Sequence, residues 1–265
     1  MPLPRLLLPG VAVVAAAGLV AVTFLTGDDP GLVDTSDMAV DASSPGTEVT
    51  PGTAAPADAP STGRMAPIRV ADEAMAVGDP DAPLVMVAFE SYGCGWCGHF
   101  HNLTMPQVMD EWVDTGRLRL ESRMMPYEER ALPGAKAGAA AGLQGKYWEL
   151  SEYLYPYIAG SGEPLFDREP TEEEMAAYHE RQAEPQMLAY IESIADEIGL
   201  DYARFLADYR SVEVNASVDT DTQMAYAIGF TGTPAFVVNG VPVGGFLSYD
   251  RMNDLLTNVL ADSVG

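Results

Sequence analysis

Lysine is almost missing from this chain. Lys136 and Lys146 are the only two, and lysine and arginine together number 14 against 39 acidic side chains, a formal net charge of −25. A surface of that sign repels nucleic acid and anionic lipid, so neither is expected as a partner. Two origins of the charge stay open: adaptation to high salt, where self-repulsion is screened, and a merely acidic secreted protein. Cysteine is equally scarce, with Cys94 and Cys97 alone. That excludes a disulfide framework, and no structural disulfide competes with this pair for oxidation. Histidine occurs three times, as His99, His101 and His179. Half a zinc site is open to the two cysteines, but no second cysteine pair completes it.

One long stretch lacks charge altogether. Arg5 precedes an uncharged run from Leu6 to Gly27, and about 20 apolar residues span a bilayer as a helix. The run is longer than the core of a usual signal peptide and has no convincing small-x-small cleavage site before Asp28. Residues 1–27 are therefore read as a transmembrane anchor, with a cleaved signal as the alternative. The arginine places the N-terminus in the cytoplasm and the rest outside. No cysteine follows closely, which excludes a lipoprotein anchor. Residues 28–66 are rich in Pro, Gly, Ser, Thr, Ala and Asp without apolar periodicity, the pattern of a flexible acidic linker. The folded part then covers 67–265, beginning near Ile68-Arg69-Val70.

The chemistry gathers at Cys94-Gly95-Trp96-Cys97. Before it, Leu84 to Phe89 is uncharged and apolar on both parities, as in a strand buried on both faces. After it, Phe100, Leu103, Val108 and Trp112 recur at roughly helical spacing up to Gly116, a helix-end signal. Leu118, Leu120 and Ser122 then alternate with Arg117, Arg119, Glu121 and Arg123, the period of a half-buried strand. The whole is a βαβ unit with two thiols where its helix begins. A helix start offers unpaired N–H groups and the positive end of the macrodipole. A thiolate at Cys94 should form more readily there than on a free cysteine, while Cys97, one turn further in, should be less exposed. One thiol then attacks and leaves, and the other resolves the mixed disulfide. A purely structural disulfide is the bland alternative, but so short a loop restrains the unfolded chain little.

The middle of the chain reads as helices. Ala131–Leu154 suggests one or two, weakened by Gly138, Gly142 and Gly145. Pro156–Pro170 reads as loop. Thr171 to Glu174 is a capping-box pattern opening a short polar helix. Leu188–Ile198, Tyr202–Tyr209 and Val214–Ile228 follow, and His179 is expected to be solvated. β structure returns with Ala235–Val238. Asn239-Gly240 is a strong hairpin signal, and Pro242 confines the partner strand Val241–Val243 to an edge. Tyr249–Leu260 closes the chain as a helix. Thr233-Pro234 at a strand start suits a cis proline, which would leave the backbone of Thr233 free to take an extended peptide.

Two groups of residues carry a resemblance. The first is Gly78-Asp79-Pro80-Asp81-Ala82-Pro83, Phe89 to Cys97, Phe100-His101, Thr104 and Pro106. The second is Gly229 to Gly240. Together they resemble the DsbA family of thioredoxin-fold thiol oxidoreductases, in its membrane-anchored, BdbD-like branch. The resemblance implies an α/β thioredoxin fold, a central mixed sheet flanked by helices, with a helical insertion at about 127–227. It implies Cys94 as nucleophile and Cys97 as resolving thiol, with substrate held by Gly95, Trp96, Thr233 and Pro234. The disulfide itself is the redox centre, so neither cofactor nor metal is implied. The implied substrates are cysteine-containing secreted or membrane proteins. The implied redox partner is a membrane quinone-linked thiol oxidase of the DsbB or VKOR type. The expected function is an extracytoplasmic oxidase on the outer face of the cell membrane, or secreted if the signal is cleaved. The alternatives are a reductase or isomerase of the same fold, and a redox-inactive peptide-binding or chaperone module.

The sequence departs from the family in three places. Gly95-Trp96 brings no positive charge between the cysteines, and His99 and His101 add one only when protonated. Ala88 stands where many members carry a glutamate, and Glu90 could take its place only if the strand persists that far. The stretch 156–185 is longer than usual and has no assigned role.

Overall fold

The computed structural model describes residues 73–159 and 169–264. The anchor and linker expected at 1–66, the start expected near Ile68, and part of the long stretch after Pro156 lie outside the described residues. Among the described residues no helix is long and apolar enough to cross a membrane.

Among the described residues five strands form one mixed sheet: β1 (Ala76–Val77), β2 (Leu84–Glu90), β3 (Leu118–Met124), β4 (Ala235–Val238) and β5 (Val241–Gly244), in the order β1-β3-β2-β4-β5. β2 runs parallel to β3 and antiparallel to β4. It is central because it can be buried on both faces. Leu84, Met86 and Ala88 pack with Phe100, Trp112 and Leu256, while Val85, Val87 and Phe89 pack with Ala225 and Val237. Burying one such large aliphatic side chain contributes about 1.5–3 kcal/mol. The hairpin forms as its turn residues require: Asn239 and Gly240 have φ of 44° and 85°, the positive values of a tight two-residue turn. Pro242 does lie on the edge strand, β5.

β3 is not half-exposed. Glu121 and Arg123, expected to face solvent, are buried beneath a later helix. Arg123 Nη2 donates to Glu121 Oε2 at 3.1 Å, and Arg123 Nε lies 3.7 Å from Asp221 Oδ1. Arg119 pairs with Glu121 at 2.8 Å. Alternation shows which residues share a face, but it cannot show that a charged face is covered by other charges.

The helical run after the cysteines is α1 (Gly95–His99), a π-helical turn (Phe100–Thr104), α2 (Met105–Val108) and a second π-helical turn (Met109–Val113). Pro106 has no N–H to donate, and the wider turn precedes it. The wider turns bring residues four apart onto one line, so Phe100, Thr104, Val108 and Trp112 are buried while Leu103, expected in the apolar stripe, is 56% exposed.

Among the described residues six α-helices lie between β3 and β4: α3 (Leu132–Gly142), α4 (Tyr147–Ala159), α5 (Glu172–Gln182), α6 (Glu184–Ile198), α7 (Tyr202–Tyr209) and α8 (Val212–Ile228); α9 (Tyr249–Val264) follows β5. α4 continues through Pro156, where a loop was expected, and α6 begins at Glu184 rather than Leu188, with Pro185 in its first turn. The α5 capping box is present as expected, Thr171 and Glu174 each bonded to the other's backbone N–H. The glycines of α3 serve close packing. A Cβ on Gly138 would stand 3.0 Å from Met124 Sδ, and one on Gly142 2.8 Å from Met75 Cγ. Tyr92, Cys94, Cys97 and Met124 complete the core of this helical layer, so both thiols sit where it meets the sheet.

Candidate functional site

Cys94 is the N-cap of α1, with extended backbone at φ −112° and ψ 114°. Its sulfur accepts the Cys97 N–H at 3.3 Å, and its carbonyl accepts the N–H groups of Cys97 and Gly98, both at 3.1 Å. One short turn therefore gives the sulfur a local backbone donor, which follows from the two-residue spacing. Both thiols are free and both are buried. Trp96, between them in sequence, is exposed, and its ring lies 5.2 Å from that of His99 and 5.6 Å from that of Phe246.

The two distant motifs meet here. The Cys94 thiol donates to the carbonyl oxygen of Thr233 at 3.1 Å, across 139 residues of sequence. The Thr233–Pro234 peptide is cis. The pair is electrically unequal. A hydrogen bond from the Cys97 thiol holds Cys94 below the ordinary thiol range, against the opposing effect of burial; contacts with Thr233 and with the Cys97 and Trp96 backbone act the same way. Burial pushes the Cys97 thiol well up, and its bond to Cys94 adds to the shift. Such an arrangement can hold one thiolate at the outer sulfur and a proton on the inner one.

The strand β2 persists as far as Glu90. The carboxylate is fully buried on the face of Ala88. His101 Nε2 lies 2.8 Å from its Oε1; Ser122 Oγ donates to Oε2 at 2.8 Å and Tyr147 OH at 3.3 Å. Burial holds the Tyr147 hydroxyl protonated, with the charge of Glu90 reinforcing it. His101, which adds charge near the cysteines only when protonated, is the partner of Glu90. Its ring stacks on Tyr155 at 4.0 Å and borders a cleft of about 410 Å³ lined also by Met105, Met109, Trp148 and Glu152. Strand parity was the signal for Glu90. Nothing local signals Ser122 or Tyr147, which come from other elements. His179, expected in solvent, accepts from Arg130 Nη1 at 2.8 Å. Among the described residues no group of three or more His, Cys, Asp or Glu is placed to hold a metal ion.

Comparison with known proteins gives three kinds of match. The thioredoxin family model matches residues 71–258. Among curated proteins, the Na(+)/H(+) antiporter NhaA of Herminiimonas arsenicoxydans is 28% identical over 178 residues, covering 65% of this chain and 23% of that protein. The Probable disulfide bond formation protein D of Bacillus cereus is 24% identical over 167 residues, covering 62% of this chain and 69% of that protein. The first curated relatives are thus matched over only about a quarter of their length. Among solved structures, Wolbachia pipientis alpha-DsbA1 superposes with a TM-score of 0.57 at 19% identity, covering 72% of this chain and 92% of that one.

Proposed function

The chain belongs to the thioredoxin family, on the fold of the DsbA-type oxidoreductases, and from that premise we propose that it is a thiol:disulfide oxidoreductase working outside the cytoplasm, as an oxidase of proteins that carry pairs of cysteines. Cys94 is the nucleophile and leaving group, and Cys97 the resolving thiol. Gly95, Trp96, Thr233 and Pro234 form the rim on which substrate lies, an extended segment using the backbone of Thr233. What supports the reading is one observation: the outer, more acidic thiol is hydrogen-bonded to the carbonyl oxygen of Thr233, which the fold brings from 139 residues away.

In the oxidised enzyme a substrate thiolate attacks Cys94 Sγ. The Cys94–Cys97 bond breaks, and Cys97 leaves as a thiolate and takes a proton. The second substrate thiol loses its proton and attacks the substrate sulfur of the mixed disulfide, expelling Cys94 as a thiolate. Two electrons pass from substrate to enzyme. A membrane quinone-linked thiol oxidase of the DsbB or VKOR type returns the pair to the disulfide. The uncharged run after Arg5 is the proposed anchor that keeps the two together.

The reduction potential against glutathione tests the direction. The lowered Cys94 thiol favours the reduced form, but Gly95-Trp96 adds no cation, so the potential should fall between roughly −120 mV and −270 mV, the values of DsbA and thioredoxin. A value at or below that of thioredoxin overturns the oxidase and favours the reductase.

Cys97 is fully buried, so its proton needs a carrier within the protein. Glu90 is proposed for that task, with His101 linking it to the cleft. Glu90→Gln keeps the side-chain shape and removes the base. Reoxidation of the reduced protein by glutathione disulfide should slow by about 10²-fold, while alkylation of Cys94 stays unchanged. Equal reoxidation rates in variant and parent would remove Glu90 from the reaction.

A further inference from the structure

The helix α5 lies in the stretch for which the sequence offered no role. One of its residues reaches the loop that delivers Cys94. Tyr178 OH donates to the carbonyl oxygen of Gly93 at 3.0 Å, and Tyr127 OH, from the loop after β3, donates to the same oxygen at 3.2 Å. Gly93 precedes the N-cap, so its carbonyl takes no part in the hydrogen-bond ladder of the helix. The neighbouring N–H, that of Cys94, is turned to Ser91 O at 3.0 Å. Two hydroxyls from separate elements thus converge on the peptide group adjoining the outer cysteine.

The approach is close on every side. A Cβ on Gly93 would stand 2.8 Å from Gln182 Oε1, the last residue of α5, and 2.9 Å from Ala131 Cβ. The two elements are also tied to each other. Arg130 Nη1 reaches His179 Nε2 at 2.8 Å, and Arg130 pairs with Glu128.

We propose that Tyr127 and Tyr178 are positioning residues for the outer thiol, and that α5 is the part of the helical layer that tunes Cys94 through the Gly93 carbonyl. The inference rests on Cys94 being the reacting sulfur. Its physical basis is the sign of the carbonyl dipole. A bare carbonyl oxygen beside a thiolate presents negative charge to negative charge. Two O–H donors offset that charge and hold the loop, so Cys94 stays capped and within reach of Thr233. Both phenols are pushed up, first by burial; the thiolate at Cys94 adds to the shift at each, and Tyr127 and Tyr178 remain donors while Cys94 titrates. The charged or titratable groups around the pair are Cys97, Glu128, Arg130 and His179. Tyr178 should count for more. It is buried, whereas Tyr127 is exposed enough for water to replace its hydroxyl.

The test uses Tyr178→Phe, Tyr127→Phe and the double variant, all in the reduced full chain. Thiolate absorbance against pH gives the Cys94 midpoint, and alkylation at a pH below that midpoint gives the rate. Loss of a net hydrogen bond changes an equilibrium by about two- to tenfold. Tyr178→Phe should therefore slow alkylation of Cys94 by about fivefold and raise the midpoint, Tyr127→Phe should act in the same direction but less, and the double variant should exceed either. If the double variant does not fold, Tyr127→Phe, which removes only an accessible hydroxyl, carries the test alone. A Cys94 midpoint and alkylation rate equal to the parent's, in variants that fold, would make the tyrosines merely structural and overturn the proposal. Alkylation needs no substrate protein, so this result is separate from failure of the oxidase. That failure would appear in the unaltered chain, as a reduction potential at or below that of thioredoxin, and failure of the Cys94 assignment as a Cys97 that alkylates before Cys94.

Discussion

Cys97→Ala is expected to stop turnover and leave the protein joined to its substrate through Cys94. Without the inner thiol, a mixed disulfide at Cys94 has no internal nucleophile to resolve it, and it accumulates. Cys94→Ala should form no such adduct, because the remaining sulfur is fully buried. Non-reducing electrophoresis with a reduced substrate protein reads both outcomes, and adducts on the Cys94→Ala protein would reverse the assignment.

The pH dependence follows from the two opposed shifts. Cys94 is lowered and Cys97 raised, and an unperturbed cysteine titrates near 8.5. A lowered group in the folded, reduced protein contributes stability above the unfolded thiol's pKa and loses it as pH falls through its own folded pKa. The raised Cys97 does the reverse: its contribution is complete below the unfolded value and is lost as pH rises through its folded one. Alkylation should therefore begin at Cys94, at a pH below that of a free thiol, and reach Cys97 only in strong alkali or on unfolding. The advantage of the reduced form should shrink on acidification through the Cys94 midpoint, so the protein should become a weaker oxidant there.

Arg123→Met should produce the largest loss of stability, about 3–5 kcal/mol. Arg123 is 2% exposed, and its guanidinium lies between Glu121 on β3 and Asp221 on α8. Removing it takes one cation from Glu121, which keeps Arg119, and separates Asp221 from the guanidinium; Asp221 also accepts the Met124 N–H at 3.2 Å. The junction between β3 and α8 should loosen first. Urea denaturation measures the loss, and a change below about 1 kcal/mol would mean that this network is replaceable by apolar packing. Because the network is shielded from solvent, salt should not rescue the variant, although salt should affect the parent's acidic surface.

Much of the fold was legible from short-range patterns. An uncharged run of strand length made β2 central, and Asn239-Gly240 set the hairpin turn. Thr171 and Glu174 marked the start of α5. The errors share a cause, since each depends on something outside its own segment. The prolines and glycines from Pro156 on suit a loop, but neighbouring helices hold α4 past Pro156 to Ala159. Leu103 fitted a regular helix, but the π-helical turns re-aimed the face. Arg123 read as solvated, but α8 covers it.

The site divides in the same way. The sequence by itself placed Cys94 at a helix start and Cys97 one turn inside it, because an apolar run of strand length precedes the pair and a helical period follows it. It also determined Glu90 as a candidate, through the period of two along a strand. Tertiary structure decided what these groups touch. The register that pairs Phe89 with Ala235 puts the end of β2 beside the start of β4, so Thr233 arrives at Cys94 from 139 residues away. His101, Ser122 and Tyr147 close around Glu90 from a helix, a strand and a second helix. Tyr127 and Tyr178 converge on Gly93 from a loop and from α5. A buried carboxylate and a capped carbonyl need donors from several directions, and only the packing of distant elements can supply them.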